Sequence, residues 1–93
     1  PIHFYAKALE KVWIGYSSDG APLKDFILEP GKDISLRAQT TLSIQVGNAG
    51  GVKVLVNGRE MVLGSPGQVR SGIFKWKKDL RDDSRKVLVF KAQ

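Results

Sequence analysis

Apolar and polar residues alternate with a period of two along most of this chain. Ile2, Phe4, Ala6 and Ala8 fall on one side of a first segment, with His3, Tyr5 and Lys7 on the other. That period predicts a strand with one buried face. Val12-Trp13-Ile14-Gly15-Tyr16, β-branched and aromatic, predicts a second strand, in which Trp13 and Tyr16 take opposite faces. Leu23 to Leu28 predicts a third, with Phe26 and Leu28 on one face. Ile34, Leu36 and Ala38 alternate with polar residues in a fourth, and Leu42, Ile44 and Val46 in a fifth. Val52 to Val56 and the residues after Asn57-Gly58 predict a hairpin, because Asn-Gly suits a two-residue type I′ turn. Gln68 to Trp76 predicts a further strand, bent at Gly72. Val87 to Phe90 predicts a last one, paired with Ile73 to Trp76. The polar stretch Lys77 to Lys86 shows no period and reads as a hairpin loop or one helical turn.

Turn signals punctuate these segments. Asp19-Gly20 and Pro30-Gly31 close hairpins, the latter as a type II turn. The stretch Val46 to Gly67 concentrates the rest: Gly47, Asn48, Ala49, Gly50 and Gly51, then Asn57 and Gly58, then Gly64, Pro66 and Gly67. These are structural turn positions, where residues take positive φ or backbones pass closely. Short alternating strands separated by such turns, with no helical crossover, predict an all-β fold. The expected architecture is one domain over residues 1–93, an immunoglobulin-like antiparallel β-sandwich with an additional C-terminal strand or hairpin. A partly open barrel is the alternative.

Composition narrows the chemistry. The chain has no Cys, which removes disulfides, thiolate metal sites and cysteine nucleophiles. Its one imidazole, His3, sits in an alternating strand near the start and has no G-x-S-x-G elbow to serve. Asp82-Asp83 lacks the spacing of a calcium loop and sits among bases, which predicts surface ion pairing. Gly47-Asn48-Ala49-Gly50-Gly51 is not a phosphate-binding loop, since no G-x-G-x-x-G pattern, following helix or closing Lys-Ser/Thr is present. No catalytic, metal or cofactor-binding residue is expected, and the chain reads as non-enzymatic. No apolar run approaches the roughly 18 residues of a membrane span. A start at Pro1 without Met reads as an excised or processed piece of a longer protein.

Charge is unevenly distributed. Arg70 to Lys91 holds eight basic residues against three acidic ones, which leaves the rest of the chain at a net +1 of the total +6. Such a segment attracts anionic partners, and equally keeps an exposed strand from pairing edge to edge. Phe74, Trp76 and Phe90 lie near it, as base-stacking aromatics would, but they also fall where a terminal hairpin would bury itself. The candidate interaction surface is Trp13 with Lys75, Trp76, Lys77, Lys78, Arg81, Arg85 and Lys86.

The order of the turns carries a resemblance. Val12-Trp13-Ile14, Asp19-Gly20, Leu28-x-Pro30-Gly31, Leu42-x-Ile44-x-Val46-Gly47-Asn48-Ala49-Gly50-Gly51-Val52, Val56-Asn57-Gly58 and Leu63-Gly64-x-Pro66-Gly67-Gln68 follow one another here. In order and spacing they resemble the extracytoplasmic C-terminal domain of RodZ-type bacterial cell-shape proteins, over about residues 11–74. The resemblance implies a single-pass membrane protein whose cytoplasmic helix-turn-helix domain binds MreB. It implies that this small β domain lies on the extracytoplasmic face of the inner membrane. There the protein links the cytoskeleton to peptidoglycan elongation and maintains rod shape. The expected partners are proteins of the cell-elongation complex, with no cofactor and no nucleic acid. Binding of an anionic cell-wall polymer or membrane surface through the basic C-terminal segment is the alternative. Residues 77–93 depart from the family pattern as an extra C-terminal segment.

Overall fold

The computed structural model describes residues 1–93, apart from the side chain of residue 83. Nine strands follow in order: β1 (Ile2–Ala8), β2 (Val12–Ser18), β3 (Lys24–Leu28), β4 (Asp33–Ala38), β5 (Thr41–Gly47), β6 (Val52–Val56), β7 (Arg59–Met61), β8 (Arg70–Asp79) and β9 (Asp82–Ala92). They form two antiparallel sheets, ordered β4-β1-β6-β7 and β3-β2-β5-β8-β9. The sheets pack face to face as the expected sandwich. Each inner face is the apolar half of an alternation: Ile2, Phe4, Ala6 and Ala8 of β1 meet Val12 and Ile14 of β2 and Leu42, Ile44 and Val46 of β5 in one core. Among the described residues no polar or charged residue is fully buried. Each large side chain removed from water there contributes roughly 1.5–3 kcal/mol. A chain of rings crosses between the sheets: Phe4 lies 6.0 Å from Phe74 between centroids, and Phe74 lies 4.7 Å from Phe90.

The predicted turns form. Asn57 and Gly58 both take positive φ (50° and 81°). Asn57 also ties its hairpin to β1, since its Oδ1 accepts from His3 N at 2.7 Å. Asp19 and Gly20 take φ of 52° and 75°, and Ala21 N donates to Ser18 O across them. Gly31 has φ 83°, with Lys32 N donating to Glu29 O.

Two expectations need correction, both in the C-terminal quarter. Residues 77–86, expected as a hairpin loop or one helical turn, are a hairpin, but one that is strand on both sides of a two-residue turn. β8 and β9 run through them as one long ribbon, joined at Leu80-Arg81, with a register slip between Lys78 and Asp79. The strand is also unbent at Gly72, which pairs regularly with Ile44 on one side and Ala92 on the other. Glycine is required there for space: a Cβ would strike the Phe90 ring, which lies across β8 at that position. The predicted pairing of the last strand holds, with Phe74 opposite Phe90 and Trp76 opposite Leu88.

Candidate interaction surface

The glycine-rich corner is a clamp between two turns. Residues Ala49–Gly51 form one turn of 3-10 helix, laid against the Ser65–Gln68 turn. Ala49 N donates to Gln68 O at 2.8 Å and Gly50 N to Ser65 O at 3.0 Å. Gly67 N donates to the Asn48 side-chain Oδ1 at 2.8 Å, and Asn48 Nδ2 donates to Lys11 O at 3.3 Å. The N–H groups of Ala49, Gly50 and Gly67 are thus engaged by protein. The corner's glycines serve close approach more than backbone angle. Gly47, Gly50 and Gly51 have no positive φ, and only Asn48 does (63°). A Cβ on Gly50 would overlap Pro66.

At the opposite end of the sandwich the ribbon emerges. Trp76 is half-buried against the core, and its Nε1 donates to Gln39 O at 3.0 Å in the β4–β5 turn. Asp19 grips the same turn from the β2 side. Its carboxylate accepts from the N–H groups of Gln39, Thr40 and Thr41 and from Thr40 Oγ1. Those backbone donors, first that of Gln39, hold the Asp19 carboxyl well below the usual carboxylate range. Lys75, Lys77, Lys78, Arg81, Arg85 and Lys86 are exposed along the ribbon, and Leu80 stands 92% exposed at its tip. Asp79 and Asp82 do turn chemistry here. Asp79 Oδ1 accepts from Arg81 N at 2.9 Å. Asp82 Oδ1 accepts from Ser84 N and Oγ, which lowers its pKa. The side chain of Asp83 lies outside the described residues.

Trp13 does not join this group. It sits on the outer face of the five-stranded sheet, its ring laid over Gly15 and beside Gly47. Tyr16 points inward and meets Phe26 edge-on, with centroids 6.1 Å apart. Trp13 pairs with Gly47 at one end of β5, whereas Lys75 pairs with Thr41 at the other. Six residues of strand separate those levels, about 20 Å. The eight candidate residues therefore form one basic ribbon and one isolated aromatic.

A feature that the sequence pattern did not single out lies beside the ribbon. β7 is only three residues long and ends the four-stranded sheet, while β9 runs for 11 and ends the other. The sandwich is therefore open along this side. A groove follows the seam, lined by Val56, Arg59, Met61, Phe74, Leu88 and Phe90, and continues toward the tip past Trp76, Arg85 and Val87. Its floor is apolar, and Arg59, Glu60 and Arg85 stand on its margin. Two adjacent apolar strands in the sequence gave the only hint, since edge position depends on topology.

The chain matches the family model of the RodZ C-terminal domain over residues 6–71. It belongs to that family. The match takes in β1 from Ala6 through the start of β8, including the clamp at 48–51 and 65–68. The RodZ C-terminal domain is a structural and interaction domain family, and this chain is a RodZ-like protein in that sense. Most of β8 and all of β9 lie beyond the matched residues. No curated protein and no solved structure matches the chain.

Proposed function

We propose that this chain is a non-catalytic interaction and positioning domain, on the extracytoplasmic face of the inner membrane, of a RodZ-like membrane protein. That protein maintains rod shape by linking the MreB cytoskeleton to the peptidoglycan elongation machinery. The observation that carries the reading is the RodZ C-terminal domain match over residues 6–71. His3, the one imidazole, lines a shallow depression together with Tyr5, Leu55 and Gly58.

Capture of elongation-complex proteins from detergent-solubilised membranes by the immobilised chain tests the reading. The expected result is retention of such proteins by the wild-type chain. Failure to retain any of them would contradict it. In the full-length protein, this domain should be cut by protease added to the outside of spheroplasts. Protection until the membrane is lysed would contradict the extracytoplasmic placement.

The basic ribbon favours a second reading, binding of an anionic cell-wall polymer or membrane surface. Such binding would weaken steeply with salt, because exposed charges are screened within about 10 Å at 0.1 M ionic strength. Adhesion that persists from low to high ionic strength would remove this reading.

A further inference from the structure

We propose that β9 is a docking edge that accepts an extended, acidic polypeptide segment as a sixth strand of the five-stranded sheet. This deepens the interaction-domain reading and rests on it. Gln93 N donates to Ser71 O at 2.9 Å, and the register keeps the same phase back to Lys78 opposite Lys86. Odd-numbered residues of β9 from Val87 onward therefore exchange hydrogen bonds with β8. Lys86, Leu88, Phe90 and Ala92 turn their N–H and C=O groups the other way, and among the described residues no strand meets them. An open row of this kind is a template for strand addition.

The side chains say what kind of strand fits. Val87-Leu88-Val89-Phe90 forms an uncharged centre, with Arg85-Lys86 before it and Lys91 after it. Leu88 and Phe90 already form one wall of the seam, whose other wall is Arg59, Glu60 and Met61 of β7, so the excess of basic charge lies on the β9 side. A strand added beside β9 would cover this opening, placing alternate apolar residues over Leu88, Phe90 and Met61. Charge selects the occupant. Two copies of the chain would bring together two ribbons that each carry eight basic residues and three acidic ones between Arg70 and Lys91. A segment with Asp or Glu on either side of about four alternating residues would meet basic side chains at both ends.

The test uses the whole chain and an eight-residue probe peptide, two Glu at each end with four residues of alternating Val and Thr between. Saturable binding should slow amide exchange at Lys86, Leu88 and Phe90 and leave the β3 and β4 edges unchanged. Lys86→Pro removes one outward donor without touching the β8–β9 ladder. It should weaken binding at least about tenfold while spectra outside β9 stay native. The double variant Arg85→Glu with Lys91→Glu should reverse the preference, toward the same peptide ended in Lys. The proposal is overturned if acidic and Lys-ended peptides bind the wild type equally, or if polyglutamate protects the same amides as well as the probe does. Protection at another edge, absence of binding at millimolar peptide, or unchanged binding by Lys86→Pro would also overturn it. If Lys86→Pro captures elongation proteins as the wild type does, the edge is wrong and the interaction-domain reading survives.

Discussion

Asp19 shows how much one side chain can organise when its neighbours are backbone amides. Its carboxylate accepts from three successive N–H groups of the β4–β5 turn, and its pKa is lowered by them. A carboxyl depressed in the folded state stabilises it fully above the ordinary Asp value of about 4, and that contribution fades as the pH falls through the folded value. Asp19→Asn should therefore be less stable than the wild type at pH 7, and the gap should narrow on acidification from pH 5 toward pH 2. Denaturant midpoints across that range check this, and a gap independent of pH would contradict it. Trp76 holds the same turn from the other side, through Nε1 to Gln39 O. Trp76→Phe keeps an aromatic ring but loses that hydrogen bond, and should cost about 1 kcal/mol in urea unfolding. At the clamp, Gly50→Ala would force a Cβ into Pro66 and should cost roughly 1–3 kcal/mol. In the sequence Asp19 was visible only as half of an Asp-Gly turn, because its acceptor role depends on residues some 20 positions away.

At the scale of elements, the strands from β1 to β6 were legible because each has one dry face and one wet face, which writes a period of two into the sequence. The ribbon was not. Beyond Trp76 both faces of β8 and β9 meet water, so Lys77 to Lys86 carries charge on either side and no alternation survives. Gly72 misled for a related reason: a glycine within a strand marks a bend or a close approach, and only the position of Phe90 decides between them. Phe90 is also what fastens β9 to the core, through Phe74 and Phe4. Phe90→Ala should therefore loosen β9 first. Amide exchange should accelerate along β9 and the outer part of β8 while β1 and β5 keep their protection, as expected for a local opening. Uniform acceleration through both sheets would contradict this account. By contrast, Phe4→Ala removes a fully buried ring at the junction of the sheets and should cost about 3–5 kcal/mol globally.

At the scale of the whole molecule, the match to the RodZ C-terminal domain family takes in residues 6–71, and most of β8 and all of β9 lie outside it. The matched residues 6–71 hold both turns of the clamp and most of the core strands. The β8–β9 ribbon supplies most of the positive charge and the longest free edge. The candidate surface was therefore half legible. Its basic side chains could be read directly, whereas the seam, the edge and the separation of Trp13 from the ribbon required the strand order. Sequence distance gives no measure of position along a sheet, and Trp13 falls at the opposite end of β5 from Lys75. Charge placed on a free edge has two effects in one device: it keeps copies of the chain apart and admits an acidic strand. The measurement that bears most directly on this account is the amide hydrogen-exchange footprint left on the chain by the elongation-complex proteins it captures. The account predicts slowed exchange at Lys86, Leu88 and Phe90, with the outer face around Trp13 and the β3 and β4 edges unchanged. Protection centred on Trp13 or on either of those edges, with β9 exchanging as in the free chain, would contradict it.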